Sequence, residues 1–387
     1  MGSAVQSKCN FEQIHSFVSD ILGEDVHAKR VYSLANATLG VMAGASLAVH
    51  SIGQALAQAK GLKTKHAIKQ IDRLLSNQSI DVWSYFQYWV PYVVGAREEI
   101  MVALDWTEFD TDDQSTIALN MVTQHGRATP LLWKTVVKSE LKDQRNHHED
   151  QLLLRLRDTL PNGVSVTVLA DRGFCDQKMF SLLHEELGFN YVIRIRNNVT
   201  VTNAKGHSQP ANQWVGQGGR ARCLRDARVT QDGYGVPTVV CVHAKGMKEP
   251  WCLVSNSRDA KARALIDDYA KRWSIETNFR DTKDLRFGMG MKSTHIKSTE
   301  RRDRLFLISA MAIALLTLLG AAGESLGYDR MLKANTSKKR THSLFRQGCM
   351  LYELIPNMPE ERLRPLIEEF GKMIYQHEAL KNIYGVV

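Results

Sequence analysis

The residues best placed to do chemistry lie in the run YAKRWSIETNFRDTK, Tyr269 to Lys283. It contains neither Gly nor Pro, so nothing in it breaks a helix. Wound at about 3.6 residues per turn, Tyr269, Arg272, Glu276, Arg280 and Lys283 share one stripe. Trp273, Ile275 and Phe279 spread around the other sides, where they can pack. One face therefore carries a carboxylate flanked by cations and an aromatic ring. Two chemistries fit. A solvated helix with i,i+4 ion pairs, such as Glu276 with Arg272 or Arg280, is one, each pair contributing roughly 0.3–0.5 kcal/mol. A site that binds a metal through Glu276 and a phosphate chain through Arg272 and Lys283 is the other.

Two further acids end apolar, strand-length runs. Asp105 lies in EIMVALDWTEFD, and Asp171 follows Val164–Ala170. Taken singly, Asp105 reads equally as a turn or capping acid, and Asp171-Arg172 as a surface pair. Taken together with Glu276, three converging carboxylates would repel and raise one another's pKa. Hard divalent cations remove that conflict, because Mg2+ takes oxygen ligands and water. Asp110, Asp112, Asp113 and Asp176 read as solvated or capping acids.

The elements that position these acids follow from periodicity. Residues 1–95 read as helical, with Thr64 as a cap for a helix through Ile68, Ile71, Leu74 and Leu75. Lys63, Lys65, Lys69 and Arg73 form a basic face there. Ser51–Leu75 reads either as a helix-turn-helix or as part of a plain bundle with a solvated face. The aromatic run from Trp83 to Tyr92 reads as packing against the next domain. The period then changes to that of strands. Glu99–Asp110, Thr116–Thr123 and Pro130–Lys138 form a meander, the last two strands joined through Gly126-Arg127. Asp143–Glu149 reads as a polar loop, Glu149–Leu160 as a helix, Val164–Ala170 as a strand, Gln177–Leu187 as a helix and Asn190–Arg196 as a fifth strand. Residues 199–256 hold seven Gly between 200 and 250 and short strand-length runs. Leu305–Gly323 is 19 residues without a charge, and reads as a buried core helix. Residues 324–387 read as helical with a basic loop, Lys333–Arg340.

Composition bounds the classes. The 387 residues suffice for two or three domains, and the net charge of +9 suits a polyanionic partner. Six cysteines (Cys9, Cys175, Cys223, Cys241, Cys252, Cys349) are scattered without a C-x-x-C pair. That argues against a zinc site or a disulfide scaffold and fits a reducing compartment. Met1–Asn10 is polar and lacks the apolar core of a signal peptide.

The spacing Tyr-x2-Arg-x3-Glu-x6-Lys, at Tyr269, Arg272, Glu276 and Lys283, resembles the signature of a large group of bacterial insertion-sequence transposases with a DDE active site. DWTEFD around Asp105, ADRGF around Asp171 and KEPWCLVSN at Lys248–Asn256 resemble further blocks of that group. The resemblance covers roughly 99–345. It implies an α/β (α+β) fold: an RNase H-like mixed-sheet core with a β-rich insertion, flanked by helical N- and C-terminal regions. The implied domains are 1–95 for DNA binding, 96–198 and 257–323 for the core, 199–256 for the insertion, and 324–387 for dimerisation or DNA contact.

The resemblance also implies roles. Asp105, Asp171 and Glu276 would hold two Mg2+ ions, with Mn2+ able to substitute. Tyr269, Arg272 and Lys283 would hold a phosphate beside a flipped base. Trp251 is the candidate to stack on that base, core packing being the alternative. Arg194, Arg196 and Arg280 join these as expected DNA contacts, together with the basic face at Lys63, Lys65, Lys69 and Arg73. The expected activity is cut-and-paste transposition of double-stranded DNA: binding of terminal inverted repeats, nicking, hairpin formation and opening, and joining to target. The expected setting is a homodimer in the synaptic complex, without a membrane, in the bacterial cytoplasm at the nucleoid. Alternatives are an RNase H-like nuclease or resolvase without strand transfer, and a catalytically inactive DNA-binding repressor.

Overall fold

The computed structural model describes residues 2–23, 25–123, 127–286 and 288–375. The expected turn at Gly126 and the last residues of the 324–387 region lie outside the described residues. Five helices come first: α1 (Gly2–Leu22), α2 (Ala28–Gly44), α3 (Val49–Lys60), α4 (Thr64–Ser76) and α5 (Val82–Val94). Helices α3 and α4 cross closely, since a Cβ added at Gly53 would lie 2.6 Å from the Ile68 Cα. Only glycine permits that approach. Ala67, Ile71, Leu74 and Leu75 face the core, while Lys63, Lys65, Lys69 and Arg73 are exposed. Thr64 is the first helical residue rather than the cap. Lys63 holds the cap position, and no side chain bonds there. The aromatic run is α5, and it packs as expected. Phe86 meets Trp133 edge-on at 4.9 Å, and the Trp89 indole donates to the Pro130 carbonyl at 2.9 Å.

A mixed sheet comes next. It begins with β1 (Glu99–Phe109), β2 (Gln114–Val122), β3 (Ala128–Val137), α6 (Arg145–Thr159), β4 (Ser165–Ala170), α7 (Gln177–Ser181) and β5 (Asn190–Ile195). The polar stretch 143–149 is thus mostly the first turn of α6, and the residues after α7 widen into a π-helical turn, Leu182–Glu186. Strand β1 pairs antiparallel with β2 and parallel with β4, and β4 pairs parallel with β5. The glycine-rich stretch supplies β6 (Thr200–Thr202), β7 (Ser208–Pro210), β8 (Arg222–Val229), β9 (Tyr234–Val242) and β10 (Trp251–Ser255). These do not form a separate sheet. Strand β10 pairs antiparallel with β5, which gives one ten-stranded sheet of order β3-β2-β1-β4-β5-β10-β9-β8-β6-β7.

The chain closes with α8 (Ala262–Lys271), α9 (Trp273–Lys283), α10 (Thr299–Ser325), α11 (Leu344–Leu354) and α12 (Glu360–Tyr375). Helix α10 is long and apolar enough to cross a membrane, but 94% of its apolar window is buried inside the protein. It packs on α2, α11, α12 and β3 as a core helix. Its N-terminal turn carries charges that are internally partnered. Arg302 is fully buried and bonds Asp112 and Gln114. Asp112 is therefore a buried ion-pair partner rather than a solvated acid.

Asp303 faces a cleft of about 950 Å³ between α5, α6 and the start of α10. Burial pushes its carboxyl up to about 7, although the Thr135 N–H donates to it at 3.0 Å. Glu300 adds to the rise and Lys134 opposes it. The folded state then holds this proton more tightly than the unfolded chain does between about pH 4 and pH 7, so stability falls as pH rises through that window. Asp303→Asn keeps the acceptor and removes the charge. Its gain in melting temperature is expected to be larger at pH 8 than at pH 5, by the equivalent of on the order of 1–2 kcal/mol. A gain independent of pH would contradict this assignment.

Candidate active site

Alternation along the strands decides what faces what. Ala103, Leu169, Val192 and Leu253 pack in one cluster with Leu265 and Tyr269 of α8 and Ile275 of α9. Residues two further along or back lie on the same face. On β1 that is Asp105, after β4 it is Asp171, on β5 Arg194 and on β10 Trp251. Leu104 pairs with Ala170 across the parallel β1–β4 ladder, so Asp105, within β1, and Asp171, just past the end of β4, are the next positions on adjacent strands. The RNase H-like arrangement thus brings together two acids 66 positions apart on the face that α8 and α9 cover.

Glu276 arrives from α9. The expected single helix from Tyr269 to Lys283 is in fact two, meeting at Arg272. There the Arg272 N–H bonds the Tyr269 carbonyl and the Ile275 N–H bonds the Arg272 carbonyl, so the chain tightens to i,i+3 bonding. Arg272 is buried between two acids: Nη1 lies 3.0 Å from Asp105 Oδ2, and Nη2 lies 2.9 Å from Glu276 Oε1. The i,i+4 pair and the link to Asp105 therefore coexist.

The electrostatics follow from burial. Desolvation is the main cause that pushes the Asp105 carboxyl up to about 6; Arg272 opposes it, while Asp171 and Glu276 add repulsion. Asp105 Oδ1 also accepts the Trp106 N–H at 2.8 Å, and Asp171 Oδ1 accepts the Gly173 N–H at 2.7 Å. Lys283 donates to Thr107 Oγ1 and the Glu108 carbonyl, both at 2.8 Å, beside the Phe109 ring. Burial first, then Lys292, lowers its pKa to about 8.

The other expected residues divide. Tyr269 is buried, and Trp251 meets it edge-on with ring centroids 5.0 Å apart. Arg194 reaches the same face, where it pairs with Glu249 at 2.8 Å. Arg196 does not share β5 with it, because the strand ends at Ile195; Arg196 lies beyond, exposed. Arg280 is exposed on α9. Lys63, Lys65, Lys69 and Arg73 lie on the helical region. Trp273, expected to pack, is instead 53% exposed, and its ring lies 5.6 Å from the Arg272 guanidinium. Arg172, read singly as half of a surface pair with Asp171, pairs instead with Glu249.

All three acids offer oxygen donors, which suits hard divalent ions such as Mg2+ or Mn2+. Among the described residues, no three His, Cys, Asp or Glu side chains already stand together as a metal site. Arg272 bonds one oxygen of Asp105 and one of Glu276.

No curated protein matches the chain. A family model described as a transposase DDE domain matches residues 98–315, more than half of the chain and the part that contains β1, β4 and α9. Sheet order, adjacent acids and matched span agree: the chain belongs to the transposase family with a DDE domain.

Proposed function

We propose that this protein moves an insertion element by a cut-and-paste route. It binds terminal inverted repeats of double-stranded DNA, nicks each end, closes and reopens a hairpin, and joins the ends to target DNA. The observation that carries this reading is Arg272 bridging Asp105 and Glu276, with Asp171 just past the end of the strand that pairs with β1. Asp105, Asp171 and Glu276 are the residues that would hold divalent ions. When bound, such ions would activate a water or 3′-hydroxyl and stabilise the leaving oxygen of an in-line phosphoryl displacement.

The remaining steps belong to the protein's own groups. Arg272 sets one positive charge between two acids in the DNA-free protein, which offsets part of their mutual repulsion. As DNA enters, its planar guanidinium can turn to a backbone phosphate, with Lys283 a second cation on the same helix. Tyr269 and Trp251 form an aromatic wall, and Trp273 presents an exposed indole next to Arg272. An unstacked base at a hairpin end finds in these rings a surface that returns roughly 1–3 kcal/mol per stacked base. Arg194, Arg196 and Arg280 would contact backbone phosphates. The exposed cations of α4 suit the first, end-binding contact. Two ends must be processed together, so the working form is a homodimer, acting on DNA at the bacterial nucleoid in the cytoplasm.

A single gel tests the reading. A labelled duplex carrying the element's end is incubated with the protein in Mg2+, in Mn2+ and in EDTA. Metal-dependent cleavage with a hairpin band is expected, and Trp251→Ala is expected to nick normally yet stall at the hairpin. Cleavage without a hairpin would select a nuclease or resolvase. Binding without cleavage in either metal would select a repressor.

A further inference from the structure

Glu249 lies on the turn that leads into β10, two residues before Trp251. Its carboxylate gathers donors from three places. Arg194 of β5 reaches Oε1 at 2.8 Å, Arg172 reaches Oε2 at 3.2 Å, and the Asn197 amide reaches Oε2 at 3.5 Å. Arg194 is nearly buried, and its Nη2 also donates to the Pro250 carbonyl at 3.1 Å. Its Nε is buried with no hydrogen-bond partner. Glu249 itself is 40% exposed at the side chain, as is half of Arg172. The fold needs little from the open pair with Arg172, because exposed ion pairs contribute roughly 0–1 kcal/mol.

The arrangement has a second meaning on this face of the sheet. Two guanidiniums, one of them on the residue that follows Asp171, converge on one acidic group, and planar Arg forks bind carboxylate and phosphate in the same geometry. We propose that Glu249 is an internal stand-in for a DNA phosphate, which occupies Arg172 and Arg194 until a correctly placed backbone displaces it. This rests on the reading of the Asp105–Asp171–Glu276 face as the DNA-processing site. Glu249 is then a specificity-determining residue. Random duplex must break two ion pairs for contacts worth no more than those it makes elsewhere. End DNA, held independently by the helical region, brings its phosphate to the arginines at high local concentration. The carboxylate therefore suppresses non-specific engagement more than engagement of the end.

The test is equilibrium binding of two short duplexes, one with the element's end and one of unrelated sequence, at one fixed salt concentration. Glu249→Gln keeps the size and polarity of the side chain and removes its charge. It is expected to bind the unrelated duplex about tenfold tighter, with a smaller gain for the end. Glu249→Ala serves if the glutamine variant melts early, and the same direction is expected. Adding Arg194→Gln to Glu249→Gln is expected to cancel the gain, because the gain runs through that guanidinium. Unchanged or weaker binding by both Glu249 variants, while the wild-type protein still binds and cleaves its end, would overturn the stand-in and leave the DNA-processing reading intact. Failure of the wild-type protein to bind or cleave either duplex would overturn both.

Discussion

Asp171→Asn is expected to bind end DNA normally and to lose metal-dependent nicking by about a thousandfold or more, or roughly 4 kcal/mol of barrier. The choice of Asn matters. Asp171 accepts the Gly173 N–H and so caps the short turn after β4. Alanine would remove that cap as well as the charge, at a cost of about 1 kcal/mol in stability. Asparagine keeps an oxygen for Gly173 and removes only the anion. Nicking retained in Asp171→Asn would show that the position serves the turn alone. The companion variant, Glu276→Gln, keeps an acceptor for Arg272 and removes the third carboxylate. The same loss is expected there. Both are read by nicking rate and by gel shift, so a folding defect would appear as lost binding.

Gly348→Ala is expected to lower the melting temperature, even though alanine is the better helix former by about 1 kcal/mol. The reason is the crossing of α10 and α11. A Cβ built at Gly348 would lie 1.8 Å from the Leu316 carbonyl oxygen, and one at Gly320 would lie 1.9 Å from the Leu344 carbonyl oxygen. Each glycine thus admits the backbone of the other helix. These neighbours are backbone atoms that no rotamer change can move, so the helices must separate. Overpacking of this kind typically costs about 1–3 kcal/mol, and occasionally more. Helix α10 is buried along most of its length, and any displacement is passed to β3 and the N-terminal helices it supports. Calorimetry or thermal circular dichroism reads the sign. A melting temperature above wild type would mean that propensity wins and that the two helices do not lie as close as this.

Much of the site was legible in one dimension because its parts are local. Apolar runs before Asp105 and Asp171 report strands, although β1 runs on past Asp105 to Phe109 and only Asp171 lies at a strand end. The chargeless run Leu305–Gly323 is long enough to span a membrane, and it is the packing of α2, α11, α12 and β3 around it that makes it a core helix. The core order of strands and helices also follows from the change between the two periods. Where local rules failed, a tertiary partner had overridden them. Asp112 reads as a solvated turn acid until Arg302 arrives from 190 residues away. Trp273 reads as a packing residue because indoles usually pack, yet the tightening at Arg272 leaves its ring in solvent. The glycine-rich segment reads as an insertion, but period alone does not say which edge its strands join.

What the amino-acid order determined by itself was therefore the inventory: which acids, cations and rings exist, and at what spacing along each element. What only the tertiary structure decided was their partnership. Asp105 and Arg272 lie 167 residues apart, and no local pattern couples them. The parallel register of β1 with β4 sets Asp105 beside Asp171, and the antiparallel joining of β10 to β5 brings Glu249 to Arg194 and Arg172. Periodicity describes how one element presents its own side chains. Which side chains meet is set by sheet register and helix docking, and those minimise the free energy of the whole core at once.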